Sequence, residues 1–413
     1  MFKSLPSRGN RNGGYKMKTK IFIKHAFTGN EASAYAMKQI NPDVVAAYPI
    51  TPATEIVQIF SKYVSDGEVD TEFVPVESEH SAMSVCIGAS AAGARVMTAT
   101  SAQGLALMHE MLYIASGLRL PIVMVVGNRA LSAPINIHGD HSDTMGSRDA
   151  GWLQFYCENA NEVYHTIIMA IKIAENANLP AMVCMDGFII THGMEVVYTL
   201  PDEEIREFLG VRKPLYSLLD IQNPITVGPL DLYDYYFEHK RGQIEAMINS
   251  KKIIEEVVKE YNERFGTNFP PFIEEYKTED ADFLIISMSS AAGTMKEAID
   301  IKREEGIKVG LLRIKTFRPF PYEVLREKIR KFKAIGIMDR AETLSTMGGP
   351  VAIETKAALY SLPEKINLIN FIFGLGGREF TLNDAFKIIE ITKKFSEGEK
   401  FPEVLYIGVR EEE

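Results

Sequence analysis

Two short stretches of the chain combine prolines, a threonine and two glutamates in a pattern that could carry chemistry. Residues 47–55 read Ala-Tyr-Pro-Ile-Thr-Pro-Ala-Thr-Glu, and residues 74–82 read Val-Pro-Val-Glu-Ser-Glu-His-Ser-Ala. The first stretch presents the hydroxyl of Thr51 in a turn, because its prolines lack the N–H that would continue a strand. The second presents the carboxylates of Glu77 and Glu79. Such groups can hold a polar ligand and accept or relay a proton.

The elements that position these residues are strands that run into helices. Residues 44–48 and 71–76 are predicted strands, and each is followed by a predicted helix. Turns at the carboxyl ends of parallel strands are where open α/β sheets build their sites. Arg129 follows a third predicted strand, residues 121–127, at the same edge. We therefore expect a hydroxyl, a carboxylate and a guanidinium to converge there, and the guanidinium fork suits a small carboxylate substrate.

Each of these residues also has an ordinary structural explanation. The helix dipole favours carboxylates in the first turn of a helix by about 0.3–1 kcal/mol each. The Pro-Ile-Thr-Pro turn could be a rigid connection with a capping hydroxyl, and Arg129 could be an exposed loop residue. Their common position at one sheet edge favours a functional site.

Alternating strands and helices predict an α/β fold whose first and larger domain is a doubly wound parallel sheet. The first sixteen or so residues are basic and rich in Gly and Asn, so we interpret them as a disordered tail or a wrongly assigned start, with Met1 and Met17 as possible first residues. The predicted units are the tail at 1–17, the parallel-sheet domain at 18–195, a connector with a long helix at 196–280, and a smaller α/β domain at 281–413. The long helix is predicted over residues 233–265 and an edge strand over residues 403–409, and we interpret the connector as a segment that also forms a subunit contact.

The composition argues against several classes of function. The chain has 413 residues, 46% of them hydrophobic and 24% charged, as in soluble globular proteins. Its formal net charge of −10 argues against nucleic acid or an anionic membrane surface as the main partner. No apolar run approaches the roughly 20 residues that a membrane-spanning helix needs. Three cysteines without CxxC spacing indicate buried thiols in a reducing cytoplasm, and suggest no zinc or iron–sulfur site on this chain.

A long polar loop, residues 128–148, follows the third strand and holds His138, Asp140, His141 and Asp143. Loops of more than about 15 residues inside a compact domain are usually functional. The spacing of these side chains fits no standard zinc motif. We therefore expect them to contact a substrate or a partner rather than a metal.

A glycine-rich turn, Gly374-Leu-Gly-Gly-Arg378, follows a later strand and looks like half of a dinucleotide-binding fingerprint. A lone turn of this kind is usually only a turn. A nicotinamide-dependent dehydrogenase is therefore an alternative that rests on this turn alone, and Arg378 could instead face a partner subunit.

Several motifs together resemble those of one enzyme family. They are Ala47-Tyr-Pro-Ile-Thr51-Pro, Glu77-Ser-Glu79-His-Ser, Thr98-Ala-Thr-Ser-Ala-Gln-Gly104-Leu, Asn128-Arg129-Ala and Gly139-Asp-His-Ser-Asp143. This set is similar to the α subunits of the multi-subunit pyruvate:ferredoxin oxidoreductases of archaea and bacteria, which are thiamine diphosphate-dependent 2-oxoacid oxidoreductases. The resemblance covers nearly the whole chain after its first residues. It implies that the first domain is the pyrimidine-binding half of a thiamine diphosphate enzyme, and that the last is transketolase C-terminal-like.

The resemblance also implies a role for each matching residue. Glu79, and not Glu77, matches the catalytic glutamate that hydrogen-bonds ring nitrogen N1′ of the cofactor's pyrimidine. Ile50 and Thr51 match positions beside the cofactor, and Thr51 and Arg129 match positions that hold the carboxylate and carbonyl of the 2-oxoacid. The physical logic agrees, because a carboxylate at N1′ promotes the tautomer with which the cofactor's own amino group deprotonates its thiazolium ring.

Other motifs of that family are missing from this chain. It contains no Gly-Asp-Gly followed by Asn-Asn, the signature of the half that binds diphosphate and Mg²⁺, and no cysteine clusters. The resemblance therefore implies that thiamine diphosphate lies at an interface with a β subunit. It also implies that Mg²⁺ and the iron–sulfur clusters belong to partner subunits in a heterotetramer with β, γ and δ subunits, through which ferredoxin and coenzyme A react.

The implied reaction converts a 2-oxoacid, coenzyme A and oxidised ferredoxin to acyl-CoA, CO₂ and reduced ferredoxin. Pyruvate is the expected substrate, because the motif at residues 139–143 looks pyruvate-like. A branched-chain or 2-oxoglutarate relative and a non-catalytic assembly subunit are alternatives, although the joint presence of Thr51, Glu79 and Arg129 argues against the last.

Overall fold

Strands and helices alternate along most of the chain, as the sequence predicts. The computed structural model describes residues 22–363 and 365–410, so the predictions for residues 1–17 lie outside the described residues. Its strands are β1 (Ile23–Phe27), β2 (Val44–Ala47), β3 (Glu72–Pro75), β4 (Val96–Thr100), β5 (Ile122–Asn128), β6 (Leu153–Tyr156), β7 (Ala181–Asp186), β8 (Glu195–Thr199), β9 (Ile273–Tyr276), β10 (Phe283–Met288), β11 (Val309–Ile314), β12 (Thr316–Arg318), β13 (Ala334–Asp339), β14 (Asn367–Phe373) and β15 (Val404–Ile407). Its helices are α1 (Gly29–Ile40), α2 (Thr54–Ser65), α3 (Glu79–Ala91), α4 (Ala102–Leu107), α5 (His109–Gly117), α6 (Ser142–Gly146), α7 (Ala160–Ala177), α8 (Asp202–Leu209), α9 (Tyr236–Phe265), α10 (Ala291–Glu304), α11 (Tyr322–Ile329), α12 (Pro350–Leu359) and α13 (Leu382–Ser396).

Two large sheets organise these elements. The first has seven strands in the order β12-β6-β7-β5-β4-β2-β3, the second has six in the order β15-β14-β13-β10-β11-β9, and β1 pairs with β8. The first sheet is parallel except for β12 at its edge. Every residue of β5 and β7 is buried, as expected for central strands that are covered on both faces. This arrangement confirms the predicted α/β fold with a parallel sheet.

Local hydrogen bonds fix where the helices of this fold begin. Thr28 and Glu31 form a capping box at the start of α1, in which each side chain accepts from the other residue's backbone N–H. The Ser78 hydroxyl accepts from the backbone N–H of Ser81 at the start of α3. This second cap makes Glu79 the first helical residue after β3, so the cap sets the position of a candidate site residue.

The connector differs from the sheets that flank it. Its long helix, predicted over residues 233–265, is α9, which begins three residues later than expected. Residues 210–235 form no helix or strand and expose large apolar side chains such as Leu215 and Tyr233. Their proposed part in a subunit contact stays a prediction.

The two large sheets are also linked to each other. The predicted edge strand at residues 403–409 is confirmed as β15, which pairs with β14 at the edge of the second sheet. The domain boundaries stay a prediction, but β12 comes from the predicted last domain and pairs with β6 of the first sheet. Arg313 of β11 donates to both carboxylate oxygens of Glu162 on α7, at 2.8 and 3.0 Å. These contacts join the two halves of the chain.

Cys86, Cys157 and Cys184 are free and buried, as the sequence predicts. Burial raises the pKa of the Cys86 and Cys157 thiols to about 12. They therefore stay protonated and unreactive at neutral pH. Among the described helices, none is long and apolar enough to span a membrane.

Candidate active site

The turn after β2 lies on the carboxyl edge of the first sheet. Pro52 is buried over the ends of β5 and β7, where Gly127 and Gly187 leave room for it. A Cβ at Gly187 would lie 3.0 Å from Cγ of Pro52 and 2.3 Å from the backbone oxygen of Asn128, so only glycine fits there. Thr51 is exposed on this support. Among the described residues its hydroxyl has no hydrogen-bond partner, so it can meet a ligand.

The two glutamates after β3 have different environments. Glu77 is exposed, precedes the helix cap and accepts a hydrogen bond from the hydroxyl of Ser81, which lowers the pKa of Glu77. Glu79 begins α3 and is only 6% exposed. No hydrogen bond or ion pair within residues 22–363 and 365–410 reaches its carboxylate. A buried carboxylate without a partner is costly, so Glu79 is suited to a ligand that donates a hydrogen bond.

The segment after β4 forms a wall beside Glu79. A Cβ at Gly104 would lie 2.6 Å from Oε1 of Glu79 and 2.5 Å from Oγ1 of Thr100. Glycine at this position therefore lets both polar groups approach the backbone of α4. The Thr100 hydroxyl is buried and is unpaired in the described part of the chain. Glu79 and Thr100 thus leave two buried polar groups side by side for a ligand.

Arg129 comes directly after β5 and is 8% exposed. Its Nε donates to the backbone oxygen of Asn136 at 2.7 Å, and its Nη1 donates to the backbone oxygen of Thr51 at 3.1 Å. Its Nη2 makes no hydrogen bond to any described residue. One side of the guanidinium is therefore anchored, and the other is left for an acceptor.

Strand order brings these residues together. Glu79 follows β3, Thr51 follows β2, Thr100 ends β4 and Arg129 follows β5. These four strands are consecutive neighbours in the order β3-β2-β4-β5. The predicted convergence at one sheet edge is therefore seen, with Ile50 half-buried next to Thr51. The chemical role of each residue stays a prediction.

Asp143 connects two of these strand ends. Its Oδ2 accepts from the backbone N–H of Ala102 at 3.0 Å and of Arg129 at 2.9 Å. Its Oδ1 accepts from the side chain of Asn128 at 2.8 Å and the backbone N–H of Thr144 at 2.7 Å. Burial raises the pKa of the Asp143 carboxyl to about 6, although these hydrogen bonds oppose the shift. The Asp143 carboxylate therefore joins the segment after β4 to the segment after β5, beside the site.

Other side chains of the predicted polar loop also bind within the chain. His141 Nε2 lies 2.6 Å from Oδ1 of Asp186 at the end of β7. Oδ2 of Asp186 accepts from Nη1 of Arg340, at 3.1 Å, and from the backbone N–H of Ser290, at 3.1 Å. Burial alone would raise the pKa of Asp186, but His141 and Arg340 outweigh it and hold this pKa well below its usual range. The loop contains a helix, α6, and it anchors the second sheet to the first.

Of the four loop residues named from the sequence, His138 is the exposed one. Contact with a substrate or a partner therefore stays a prediction for His138, whereas Asp140, His141 and Asp143 are buried against the chain itself. In the part of the chain that the structure describes, no group of three or more His, Cys, Asp or Glu side chains could hold a metal ion.

The glycine-rich turn after β14 packs against this loop. The backbone N–H of Gly376 donates to Oδ2 of Asp140 at 2.9 Å, and its backbone oxygen accepts from the side chain of Asn136 at 3.0 Å. A Cβ at Gly377 would lie 2.2 Å from Cβ of His138. The turn therefore supports the loop instead of cradling a phosphate, which removes the basis of the dehydrogenase alternative.

Sequence reasoning did not find the contacts of Thr100, Gly104 and Asp143. Thr100 and Gly104 belong to one of the motifs that carry the resemblance, which marks their stretch but does not indicate their part in the site. For Asp143 the sequence predicts contact with a substrate or a partner, and the signal that points to it is an acidic residue in a long loop after Asn128 and Arg129.

Two protein-family models match this chain. The family described as pyruvate flavodoxin/ferredoxin oxidoreductase, thiamine diphosphate-binding, matches residues 35–259. The family described as pyruvate:ferredoxin oxidoreductase core domain II matches residues 281–385. The first region overlaps the predicted first unit and the connector, and the second overlaps the predicted last unit, whose boundaries stay a prediction.

Similar proteins and structures carry related names. The chain is 52% identical to pyruvate synthase subunit PorA of Thermotoga maritima, over 95% of this chain and 100% of that protein. It is 48% identical to ketoisovalerate oxidoreductase subunit VorA of Pyrococcus abyssi, over 92% of this chain and 95% of that protein. It shares a fold with a 2-oxoglutarate:ferredoxin oxidoreductase of Magnetococcus marinus, with a TM-score of 0.68 and 20% identity, over 92% of this chain and 66% of that one. The chain therefore belongs to the pyruvate flavodoxin/ferredoxin oxidoreductase family of thiamine diphosphate-binding proteins.

Proposed function

We propose that this chain is the α subunit of a multi-subunit oxidoreductase that converts pyruvate, coenzyme A and oxidised ferredoxin to acetyl-CoA, CO₂ and reduced ferredoxin. The observation that carries this proposal is the buried, unpaired carboxylate of Glu79 at the sheet edge where Arg129 contacts the Thr51 turn. The 52% identity to pyruvate synthase subunit PorA of Thermotoga maritima supports pyruvate as the substrate.

The residues at this edge fit the pyrimidine half of thiamine diphosphate. When bound, this cofactor supplies the carbanion chemistry that decarboxylation of a 2-oxoacid requires. Glu79 would hold a proton between Oε1 and ring nitrogen N1′, and Ile50 and Thr51 would lie beside the ring. Burial strengthens the Glu79 hydrogen bond, because the local dielectric constant is low. Thr100 offers a second buried polar atom there.

Arg129 and Thr51 would bind the 2-oxoacid. The anchored guanidinium keeps Nη2 available for the substrate carboxylate, while the exposed Thr51 hydroxyl can donate to an oxygen of the substrate. Because two hydrogen bonds to backbone oxygens already fix the guanidinium, little conformational entropy is lost on binding.

The remaining parts of the reaction would come from partner subunits. We propose that thiamine diphosphate lies at an interface with a β subunit, which supplies Mg²⁺ and the diphosphate site. Iron–sulfur clusters on the β and δ subunits would pass electrons to ferredoxin, and a γ subunit would complete a cytoplasmic complex. The absence of cysteine clusters and of a Gly-Asp-Gly motif from this sequence supports that division.

A branched-chain 2-oxoacid is the second candidate substrate. Ketoisovalerate oxidoreductase subunit VorA of Pyrococcus abyssi is 48% identical to this chain, close to the 52% of pyruvate synthase subunit PorA. The two identities are too similar to separate the two substrates. A 2-oxoglutarate enzyme is a third possibility, for which the Magnetococcus marinus structure supports the fold alone.

Substrate choice can be tested on the assembled complex. We would tag this chain, express it from its own operon without oxygen, and purify it with the subunits that accompany it. Reduction of viologen would be assayed with coenzyme A and pyruvate, 2-ketoisovalerate or 2-oxoglutarate. The highest kcat/KM with pyruvate supports the proposal. A complex that contains thiamine diphosphate but turns over none of these 2-oxoacids would contradict it.

The role of Glu79 can be tested with a matched pair of variants. Glu79→Gln removes the proton relay but keeps the side-chain size, so we expect kcat to fall by about 10²–10⁴-fold. Glu77→Gln changes an exposed carboxylate two residues earlier whose side chain accepts from Ser81, and its kcat should stay within about twofold of the parent, because no interaction made in the transition state is removed. Equal activity of both variants would favour a non-catalytic assembly subunit.

A further inference from the structure

We infer that Asp143 is a positioning residue. It fixes the cofactor side of the site, at Glu79, relative to the substrate side, at Arg129. This inference rests on the proposed function of Glu79 and Arg129. The two sides are built by different strands, since Glu79 packs against the segment after β4, while Arg129 follows β5 and contacts the Thr51 turn. In addition to the hydrogen bonds of the sheet, the buried Asp143 carboxylate, which is 2% exposed, links these strand ends directly.

A single oxygen of Asp143 makes this link. Oδ2 accepts from the backbone N–H of Ala102, at 3.0 Å, and from the backbone N–H of Arg129, at 2.9 Å. Ala102 has a φ of +41°, a left-handed conformation that is unusual for a residue with a side chain. Its hydrogen bond to Asp143 therefore holds a backbone conformation that Ala102 does not otherwise favour.

The consequences of this link reach both sides of the site. Ala102 lies between Thr100 and Gly104, the two residues that form the wall beside Glu79. On the other side, Arg129 is held at its backbone by Asp143 and carries the guanidinium that contacts Thr51. Loss of the link frees the wall and the arginine to move independently.

The environment of Asp143 requires a carboxylate. Its four partners, Ala102, Arg129, Asn128 and Thr144, all donate hydrogen bonds to it. An amide has one oxygen and one NH₂ group. In either orientation of an asparagine, the NH₂ group would therefore face two N–H donors and could accept from neither of them. Asp143→Asn keeps the size and shape of the side chain and removes acceptors from one side.

The same loop offers a matched control. Asp140 is also buried, at 5% exposed, and its Oδ2 also accepts from a backbone N–H, that of Gly376 at 2.9 Å. Its contacts reach the glycine-rich turn and Ser142, not the ends of β4 and β5. Asp140→Asn therefore perturbs the loop without touching the link between the two sides.

The test uses the purified complex and steady-state kinetics with the best 2-oxoacid. For Asp143→Asn we expect the KM for the 2-oxoacid to rise by about 10-fold or more and kcat to fall, because a buried hydrogen bond to a charged group is lost. The kcat/KM for coenzyme A should change less than that for the 2-oxoacid, because the proposed role of Arg129 is to bind the 2-oxoacid. Asp140→Asn should leave both KM values within about twofold of the parent.

Three outcomes are informative. If the 2-oxoacid KM of Asp143→Asn changes no more than that of Asp140→Asn, the inference is overturned while the proposed function stands. If the parent complex turns over no 2-oxoacid, the proposed function fails and the inference fails with it. If Asp143→Asn does not assemble, Asp143→Glu keeps the negative charge but displaces both carboxylate oxygens by one methylene, and a 2-oxoacid KM raised by about threefold or more supports the inference, whereas an unchanged KM overturns it.

Discussion

Glu77 and Glu79 lie two residues apart, yet one turn of backbone gives them opposite environments. The cap at Ser78 leaves Glu77 outside α3, where it is exposed and bonded to Ser81, and turns Glu79 inward as the first helical residue. An acidic residue at a helix start is ordinarily explained by the helix dipole. That explanation does not account for burial without a partner, so at the scale of single residues burial separates the catalytic candidate from its neighbour.

Gly104 should be intolerant of a side chain. In Gly104→Ala the new Cβ would meet Oε1 of Glu79 at 2.6 Å and Oγ1 of Thr100 at 2.5 Å, so the carboxylate must move. We expect cofactor affinity and kcat/KM to fall by about 10-fold or more, because ångström-scale misplacement costs that much. Fluorescence titration with thiamine diphosphate and kinetics of the complex would measure this.

Gly88→Ala is the control for that variant. Gly88 also lies in a helix, α3, but a Cβ there meets nothing within 4 Å. Its activity should be unchanged, and the protein should gain up to about 1 kcal/mol of stability from the better helix former. If the two variants had equal kinetics, the wall at Gly104 would not position Glu79.

The convergence of Thr51, Glu79 and Arg129 could be predicted because it depends on a general rule about the carboxyl ends of parallel strands. The link through Asp143 could not. Its hydrogen bond to Ala102 spans 41 residues of sequence and depends on the path of a loop, which no periodicity encodes. Contacts of this kind follow from tertiary packing and not from local residue pattern.

At the scale of elements, long apolar strands and amphipathic helices were predicted well, and polar segments were not. The fully buried strands β5 and β7 are apolar up to a polar last residue, Asn128 and Asp186, so the sequence indicates them directly. The loop of residues 128–148 is polar and is expected to contact a substrate or a partner, but it contains α6 and buries four charged or titratable side chains, those of Arg129, Asp140, His141 and Asp143. Polar groups that are buried and hydrogen-bonded look like surface residues in a sequence.

The contact between the glycine-rich turn and the loop predicts a stability effect. In Gly377→Ala the Cβ would lie 2.2 Å from Cβ of His138, and the residue already has a φ of +76°. We expect a loss of about 2 kcal/mol or more, because backbone strain adds to the clash. Thermal unfolding of the full-length chain would measure it.

Gly398→Ala separates strain from the clash. Gly398 also has a positive φ, of +101°, but open space surrounds its Cβ position. Its variant should lose about 1 kcal/mol, from strain alone. A loss for Gly377→Ala that is no larger than this would mean that the turn does not press on the loop.

At the scale of the whole molecule, a buried ion cluster joins the two sheets. Arg313 pairs with Glu162 at 2.8 Å and with Glu274 at 2.6 Å, and it is 3% exposed. Arg313→Met removes a positive charge that compensates these carboxylates. We therefore expect a loss of about 3–5 kcal/mol in the free energy of unfolding. Denaturant unfolding would measure this loss.

The exposed pair of Lys252 and Glu256 is the control. Its side chains are 81% and 64% exposed, so Lys252→Met should cost less than about 1 kcal/mol. If Arg313→Met were as mild as this variant, the cluster would contribute little to joining the two sheets.

The same cluster predicts how stability depends on pH. Burial would raise the pKa of Glu162, but Arg313 and Lys315 outweigh it, so this pKa lies well below its ordinary value of 4.5. A carboxylate with a lowered folded-state pKa stabilises the protein above its unfolded-state pKa and loses that contribution as the pH falls. The parent should therefore lose more stability than Arg313→Met as the pH is lowered from 5 to 3, in roughly the range where carboxylates titrate. Equal losses in the free energy of unfolding for the two proteins over this pH range would contradict this prediction.

The pairing of β12 with β6 has a consequence for synthesis of the chain. The strand that covers the edge of the first sheet is made only after β7, some 130 residues later on the chain. At roughly 5–20 residues per second, a nascent chain waits on the order of ten seconds with that edge uncovered. During this interval the open edge can pair with another nascent chain, so ribosome spacing and chaperones that bind strand edges bear on the yield of this protein.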